Sequence, residues 1–349
     1  MSLSREYEFI IQWHLTERCN LRCAHCYQEG GPVKEMPLAA LSRVVEEAAA
    51  MFRDWREAYD LEFAPSFNVT GGEPFLRADF FAILEIMRAS GFDCYVLSNG
   101  TLISLDRAHV LGELEVKGVQ VSLEGPEWVH DAIRGKGSFA AAVQGVRNLL
   151  AAGVPVSINA TLSRLNAPYF MDLVGLASHL GVPRLGFSRL VPAGRGLAML
   201  DQMLPASRLR ELFEKIIDLE VEGLEIVSGD PMVSQLGQPE PSDEPSGVPY
   251  AGCAAGVAGL TIAADGAVSP CRRLPIYLGK AGEDSLREIW AVSPVLERLR
   301  DRSQYQGKCR ECRRWAECRG CRAIAYAYAA SRGRPEYLAE DPQCFIARD

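Results

Sequence analysis

The stretch Thr16-Glu17-Arg18-Cys19-Asn20-Leu21-Arg22-Cys23-Ala24-His25-Cys26-Tyr27 sets three cysteines in the spacing C-x3-C-x2-C, directly after the apolar run 9–15. Thiolates are the ligands that iron–sulfur clusters prefer. Three of them this close can hold three irons of a [4Fe–4S] cube and leave the fourth iron open to a small molecule. Run 9–15 reads as a strand. Beyond it, apolar runs at 67–70, 94–98, 119–123, 156–162 and 184–190 alternate with helix-like segments. These are 38–52 behind Pro37, 79–89, 139–152 ending at Gly153, and 169–180 between Pro168 and Gly181. Six strands with intervening helices predict a parallel α/β unit, whose ligands sit at the carboxyl ends of the strands. The cysteine loop falls at such an end.

A second motif, Thr70-Gly71-Gly72-Glu73-Pro74, closes the second predicted strand. Glycine there suits close backbone approach to a ligand, and a plain tight turn would use it as well. Together the two motifs resemble the radical S-adenosylmethionine enzymes, whose signatures are C-x3-C-x2-C and GGEP. The resemblance implies a partial (β/α)6 TIM-like barrel in which Cys19, Cys23 and Cys26 hold the cluster. Its open iron chelates S-adenosylmethionine, which is cleaved to a 5′-deoxyadenosyl radical that abstracts hydrogen from substrate. It also implies cofactor contacts at Gly71, Gly72, Glu73 and Pro74. Further contacts are implied at Asn99 and Ser122, which end the third and fourth strands, and at Arg134, whose fork suits a carboxylate. His25 fills a slot that the family gives to an aromatic, so stacking near adenine fits better than iron ligation. The bland readings are a helix-terminal carboxylate for Glu73 and strand-end turns for Asn99 and Ser122.

Cysteines return at Cys253, Cys271, Cys309, Cys312, Cys318, Cys321 and Cys344. The dense run C-x2-C-x5-C-x2-C from Cys309 to Cys321 alone would suit zinc, but seven cysteines fit two metal centres better than one four-ligand ion. Residues 259–270, with Asp265-Gly266 at the centre, predict a β-hairpin. This half resembles the SPASM extension, which carries auxiliary [4Fe–4S] clusters. By that resemblance Cys309, Cys312, Cys318 and Cys344 ligate one cluster, and Cys253, Cys271 and Cys321 hold another with a fourth ligand unassigned. Only Arg319-Gly320 separate Cys318 from Cys321, one residue fewer than the common pattern. That shorter form, with residues 338–344, resembles members of the haem and haem d1 pathways.

The expected organisation is thus a radical core at 1–192, a helical bridge and Pro/Gly-rich linker at 193–250 (helix 206–222, loop 228–249), and a SPASM domain at 251–349. The 349 residues, 48% hydrophobic and 23% charged, read as globular, and no run suits a membrane span. The first residues lack a signal-peptide pattern, and eleven cysteines in a cytoplasmic chain point to metal rather than disulfides. A net charge of −8 argues against nucleic acid. Residues 297–334 nonetheless carry eleven Lys or Arg against four acids, which suits anionic clusters or a solvated face. Cys94 reads as a small buried hydrophobe, and His14, His109, His130 and His179 form no metal pattern.

The functional expectation is a radical S-adenosylmethionine maturase acting on a ribosomal peptide, the habit of most SPASM relatives. Its partners would be a low-potential electron donor such as ferredoxin or flavodoxin and, with only eighteen residues before Cys19, a separate peptide-recognition protein. The alternative is a small-molecule substrate, a tetrapyrrole, whose propionates Arg272 and Arg273 beside Cys271 would pair. Arg272 stands where the sulfatase-maturing branch has an acid, which counts against that chemistry. An iron–sulfur carrier without catalysis is the third reading; it has no need of the GGEP motif.

Overall fold

The computed structural model describes residues 7–237 and 247–346. Strands β1 (Tyr7–His14), β2 (Phe63–Thr70), β3 (Asp93–Ser98), β4 (Gly118–Ser122), β5 (Val156–Leu162) and β6 (Arg184–Arg189) are the six read from sequence. They pair in parallel in that order. Helices α1 (Leu38–Tyr59), α2 (Phe80–Ala89), α3 (Leu105–Glu113), α4 (Glu127–Arg134), α5 (Ser138–Ala151) and α6 (Phe170–His179) connect them, making the partial barrel expected. Strand β5 shows why the curved sheet has two chemistries. Val156, Ile158, Ala160 and Leu162 are buried, while Asn159 and Thr161 line the concave cavity. A period of two puts apolar side chains under the helices and polar ones at the mouth.

α7 (Ala206–Ile217) ends five residues short of the expected 222, and β7 (Glu225–Val227) then adds to the far side of β6. The predicted loop 228–249 contains a 3-10 turn at Pro231–Gln235. Its residues 238–246 lie outside the described residues.

The predicted hairpin is β8 (Gly259–Ile262) and β9 (Ala267–Ser269), antiparallel, with β10 (Gly279–Lys280) beside β9. β8 also pairs in parallel with β1, with Ile10 opposite Gly259 and Trp13 opposite Ile262. The result is a 10-stranded sheet running β10-β9-β8-β1-β2-β3-β4-β5-β6-β7. Gly259 permits this junction, since a Cβ there would strike the Ile10 carbonyl.

α8 (Leu286–Val292) seals the junction from outside. Phe9 meets Trp290 edge-on at 4.8 Å, and the Leu286 N–H donates to Glu47 of α1 at 2.7 Å. Fully burying a side chain of this size contributes roughly 1.5–3 kcal/mol, so the seam is part of the core. α9 (Pro294–Arg300), α10 (Lys308–Glu311) and α11 (Arg322–Ser331) complete the chain. No helix among the described residues is long and apolar enough to cross a membrane.

Candidate active site

The cysteine loop leaves β1 and is laid across the start of the GGEP motif. Gly72 N–H donates to Thr16 O at 2.7 Å and Glu73 N–H to Arg18 O at 2.8 Å. A Cβ at Gly71 would collide with Thr16 O, and one at Gly72 with Arg18 O. The glycines are therefore required first by the cysteine loop's own backbone, and they line the cavity as well.

Cys19, Cys23 and Cys26 border one cavity of about 520 Å³, together with His25, Ser98, Asn99, Ser122, Asn159, Thr161 and Arg134. Glu73 and Pro74 lie behind that lining. Glu73 is fully buried, and its two oxygens accept from Ser98 Oγ at 2.8 Å and the Asn99 N–H at 2.9 Å. Burial pushes its pKa up to about 7 against these bonds. Its carboxylate thus braces the strand-end residues, and Asn99 Nδ2 in turn reaches Asn20 Oδ1 at 2.9 Å and Cys19 Sγ at 3.9 Å.

Sequence reasoning missed Glu124. Its buried carboxylate accepts from Arg134 Nε at 2.8 Å and Nη2 at 2.6 Å, and from the Thr161 N–H at 2.8 Å. Burial opposes its charge, but Arg134 and His25 overcome that and lower its pKa. Arg134 therefore offers the cavity its Nη1 edge, 3.8 Å from Cys23 Sγ, rather than its whole fork. His25 lies 3.4 Å from Glu124, and burial pulls its pKa to about 4, so the ring is neutral near pH 7. Its buried Nδ1 has no partner. The His25 ring borders the cavity beside three thiols, a donor set that fits an iron–sulfur cluster. The only sequence signal for Glu124 was its place two residues after β4.

Cys309, Cys312, Cys318 and Cys344 line a second cavity of about 580 Å³, where Gln235 Nε2 lies 3.4 Å from Cys318 Sγ and 3.7 Å from Cys344 Sγ. Cys321 responds instead to Arg273 and Cys253, and Arg273 to Cys321 and Cys271. Burial drives Cys309 up to about 11, and Cys318 and Cys321 up to about 12. As free thiols these would stay protonated; bound iron would take the thiolates outright. Among the described residues no three His, Cys, Asp or Glu side chains converge as ligands of a single ion do. A cube spreads its thiolates over separate irons.

Arg189 of β6 ties the two halves together. Buried, it donates to Asp230 at 2.7 Å, to Asp341 at 3.0 and 2.9 Å and to Gln343 at 3.0 Å, while Asp341 accepts the Cys321 N–H at 2.8 Å. Cys94 is fully buried, as expected.

Residues 13–177 match the Radical SAM superfamily, and 253–322 match the SPASM iron–sulfur cluster-binding domain. An AdoMet-dependent heme synthase of Oleidesulfovibrio alaskensis is 30% identical over 348 residues, covering 96% of this chain and 86% of the relative. The chain belongs to the radical S-adenosylmethionine superfamily. The mycofactocin maturase MftC of Mycolicibacterium smegmatis is 29% identical over 346 residues, with 96% of this chain and 82% of MftC covered. In fold, the chain is similar to Streptococcus suis SuiB bound to S-adenosylmethionine, with a TM-score of 0.75, 19% identity, and 98% and 78% of the two chains covered. This radical S-adenosylmethionine protein is an enzyme that binds iron–sulfur clusters and S-adenosylmethionine. When bound, they supply a 5′-deoxyadenosyl radical for hydrogen abstraction. The chain's own part is to seat the cysteine loop on Gly71-Gly72, brace Asn99 through Glu73, and hold Arg134 through Glu124.

Proposed function

We propose that this enzyme acts in the cytoplasm and removes a hydrogen atom from a ribosomally made peptide placed between the Cys19-Cys23-Cys26 loop and the C-terminal unit. A low-potential donor such as ferredoxin or flavodoxin supplies electrons, and a separate recognition protein presents the peptide. Cys19, Cys23 and Cys26 hold the radical-generating cluster. Cys309, Cys312, Cys318 and Cys344 hold one auxiliary cluster, and Cys253, Cys271 and Cys321 the other. His25, Gly71, Gly72, Asn99, Ser122 and Arg134 meet the cofactor, with Glu73 and Pro74 supporting them from behind.

One observation carries the choice of an extended substrate. The main cavity shares Glu17, Tyr27, Gln28 and Arg272 with a neighbouring groove of about 430 Å³, which continues past Ser269 and Ile276 to Val33 and Tyr277. A chain can lie in that groove with one residue at the cavity, and similarity to the mycofactocin maturase supports the same class. A second reading, side-chain oxidation of a tetrapyrrole, is favoured by arginines of the cavity wall that have no carboxylate partner, Arg272 and Arg273 among them. The likeness to the heme synthase supports it too.

Mass spectrometry of anaerobic reactions decides between them, with a peptide encoded beside the gene in one series and iron coproporphyrin III in the other. The peptide is expected to lose hydrogen. Loss of carbon dioxide or hydrogen from the tetrapyrrole, with every peptide unchanged, would overturn the first reading in favour of the second.

A further inference from the structure

Most cavity arginines are already committed. Arg18 is paired with Glu35, Arg134 with Glu124 and Arg189 with Asp230 and Asp341, while Arg195 donates to the Cys23 and Glu29 carbonyls. Arg272 and Arg273 are not. Among the described residues neither has a carboxylate or carbonyl partner, and Arg273 Nε is buried without any. Both line the main cavity, side by side, on the turn after Cys271. Two adjacent, half-buried cations with no paired carboxylate repel one another, and an arriving anion would relieve that repulsion.

The Arg272 guanidinium lies over the Tyr27 ring, 5.8 Å from its centroid, where the cavity opens into the groove.

We propose that Arg272 anchors a carboxylate of the substrate at the point where the cavity opens into the groove. The assignment rests on the reading above that substrate occupies this cavity. The carboxylate is an acidic group of the peptide or a propionate of a tetrapyrrole. A guanidinium over an aromatic face, with its donors unspent, is suited to either.

The test uses anaerobically reconstituted enzyme and equilibrium titration with two probe pairs. One is the neighbour-encoded peptide and the same peptide with its carboxylates amidated; the other is iron coproporphyrin III and its tetra-amide. R272Q should weaken binding of the acid form of one pair roughly tenfold or more, leave the amide form unmoved, and be largely rescued by R272K. Acid binding unaffected by R272Q, or equal weakening of S-adenosylmethionine binding, would overturn the anchor. Failure of the wild type to bind either acid probe would overturn the substrate reading itself, and this inference with it.

Discussion

The barrel mouth and the C-terminal unit treat cysteine differently. At the barrel mouth Cys19 is exposed, Cys26 half-buried and Cys23 buried, with Asn99 Nδ2 within reach of Cys19 and the Nη1 edge of Arg134 within reach of Cys23. In the C-terminal unit Cys309, Cys318 and Cys321 are buried and Cys253, Cys271, Cys312 and Cys344 half-buried, and fully buried Arg189, Arg319 and Arg322 stand among them. Exposure lets a ligand reach an iron and leave it. Burial behind arginines retains a cluster, offsets its charge and tunes its potential. One site is built for exchange and the other for retention.

The largest effects should separate the sites outright. Cys23→Ala is expected to abolish 5′-deoxyadenosine formation. Cys312→Ala should still form it but fail to complete product. Iron content and chromatography of the nucleoside check both. Equal loss of nucleoside from a soluble, folded Cys312→Ala protein would break the distinction.

Retention depends on Arg189. Arg189→Gln leaves Asp341 and Asp230 buried without their cation, which costs about 3–5 kcal/mol. Urea unfolding should show that loss, and iron should fall preferentially from the C-terminal centres. Wild-type stability in this variant would mean that the arginine is dispensable to the retaining site.

pH should sharpen the contrast, because the two sites bury carboxyls whose pKa values move in opposite directions. Glu73, at the exchange site, has its pKa raised from 4.5 to about 7. The folded state therefore holds its proton more tightly. That stabilisation is complete below 4.5 and is lost as pH rises to 7, a few kcal/mol in all. Asp341, at the retaining site, is lowered from 3.8, since Arg189 and backbone N–H groups overcome its burial. Its contribution is present above 3.8 and is lost as pH falls through the lower folded value. Glu73→Gln should flatten the stability profile between pH 5 and 7, while Asp341→Asn should alter only the acid limb. Identical profiles for both variants would contradict the assignments.

Much of this was legible because it is local. Apolar runs bounded by glycine and proline marked the six core strands, and cysteine spacing marked the clusters. Helices α3 and α4 were missed. Leu105–Glu113 mixes charge with Gly112, and Glu127–Arg134 is short and polar, so neither shows a long apolar stripe. Glu124 looked like any loop acid until folding set Arg134 and His25 against it. Arg189 and Asp341 are 152 residues apart, and the parallel pairing of β8 with β1 spans the whole core. Such pairings leave no periodic trace in a single sequence. Glu73 shows a subtler limit, because its motif marked the position while only the packed structure shows that its oxygens face Ser98 and Asn99.

The smallest expected effect asks whether the two regions, so different chemically, are one body mechanically. Ser104 caps α3 in the core by accepting the Arg107 N–H, and Ser285 caps α8 in the C-terminal unit by accepting the Glu288 N–H. Replacing either with alanine should cost about 1 kcal/mol. A C-terminal unit that merely leaned on the barrel would unfold in its own transition, and Ser285→Ala would shift that one alone. Instead β8 is hydrogen-bonded to β1, Trp290 is packed on Phe9, and Arg189 reaches Asp341 across the seam. Both variants should therefore displace a single urea transition by the same small amount, followed through Trp13 in the core and Trp315 in the C-terminal unit. Two resolved transitions, with each cap moving its own, would show that the retaining site can open while the exchange site stays folded.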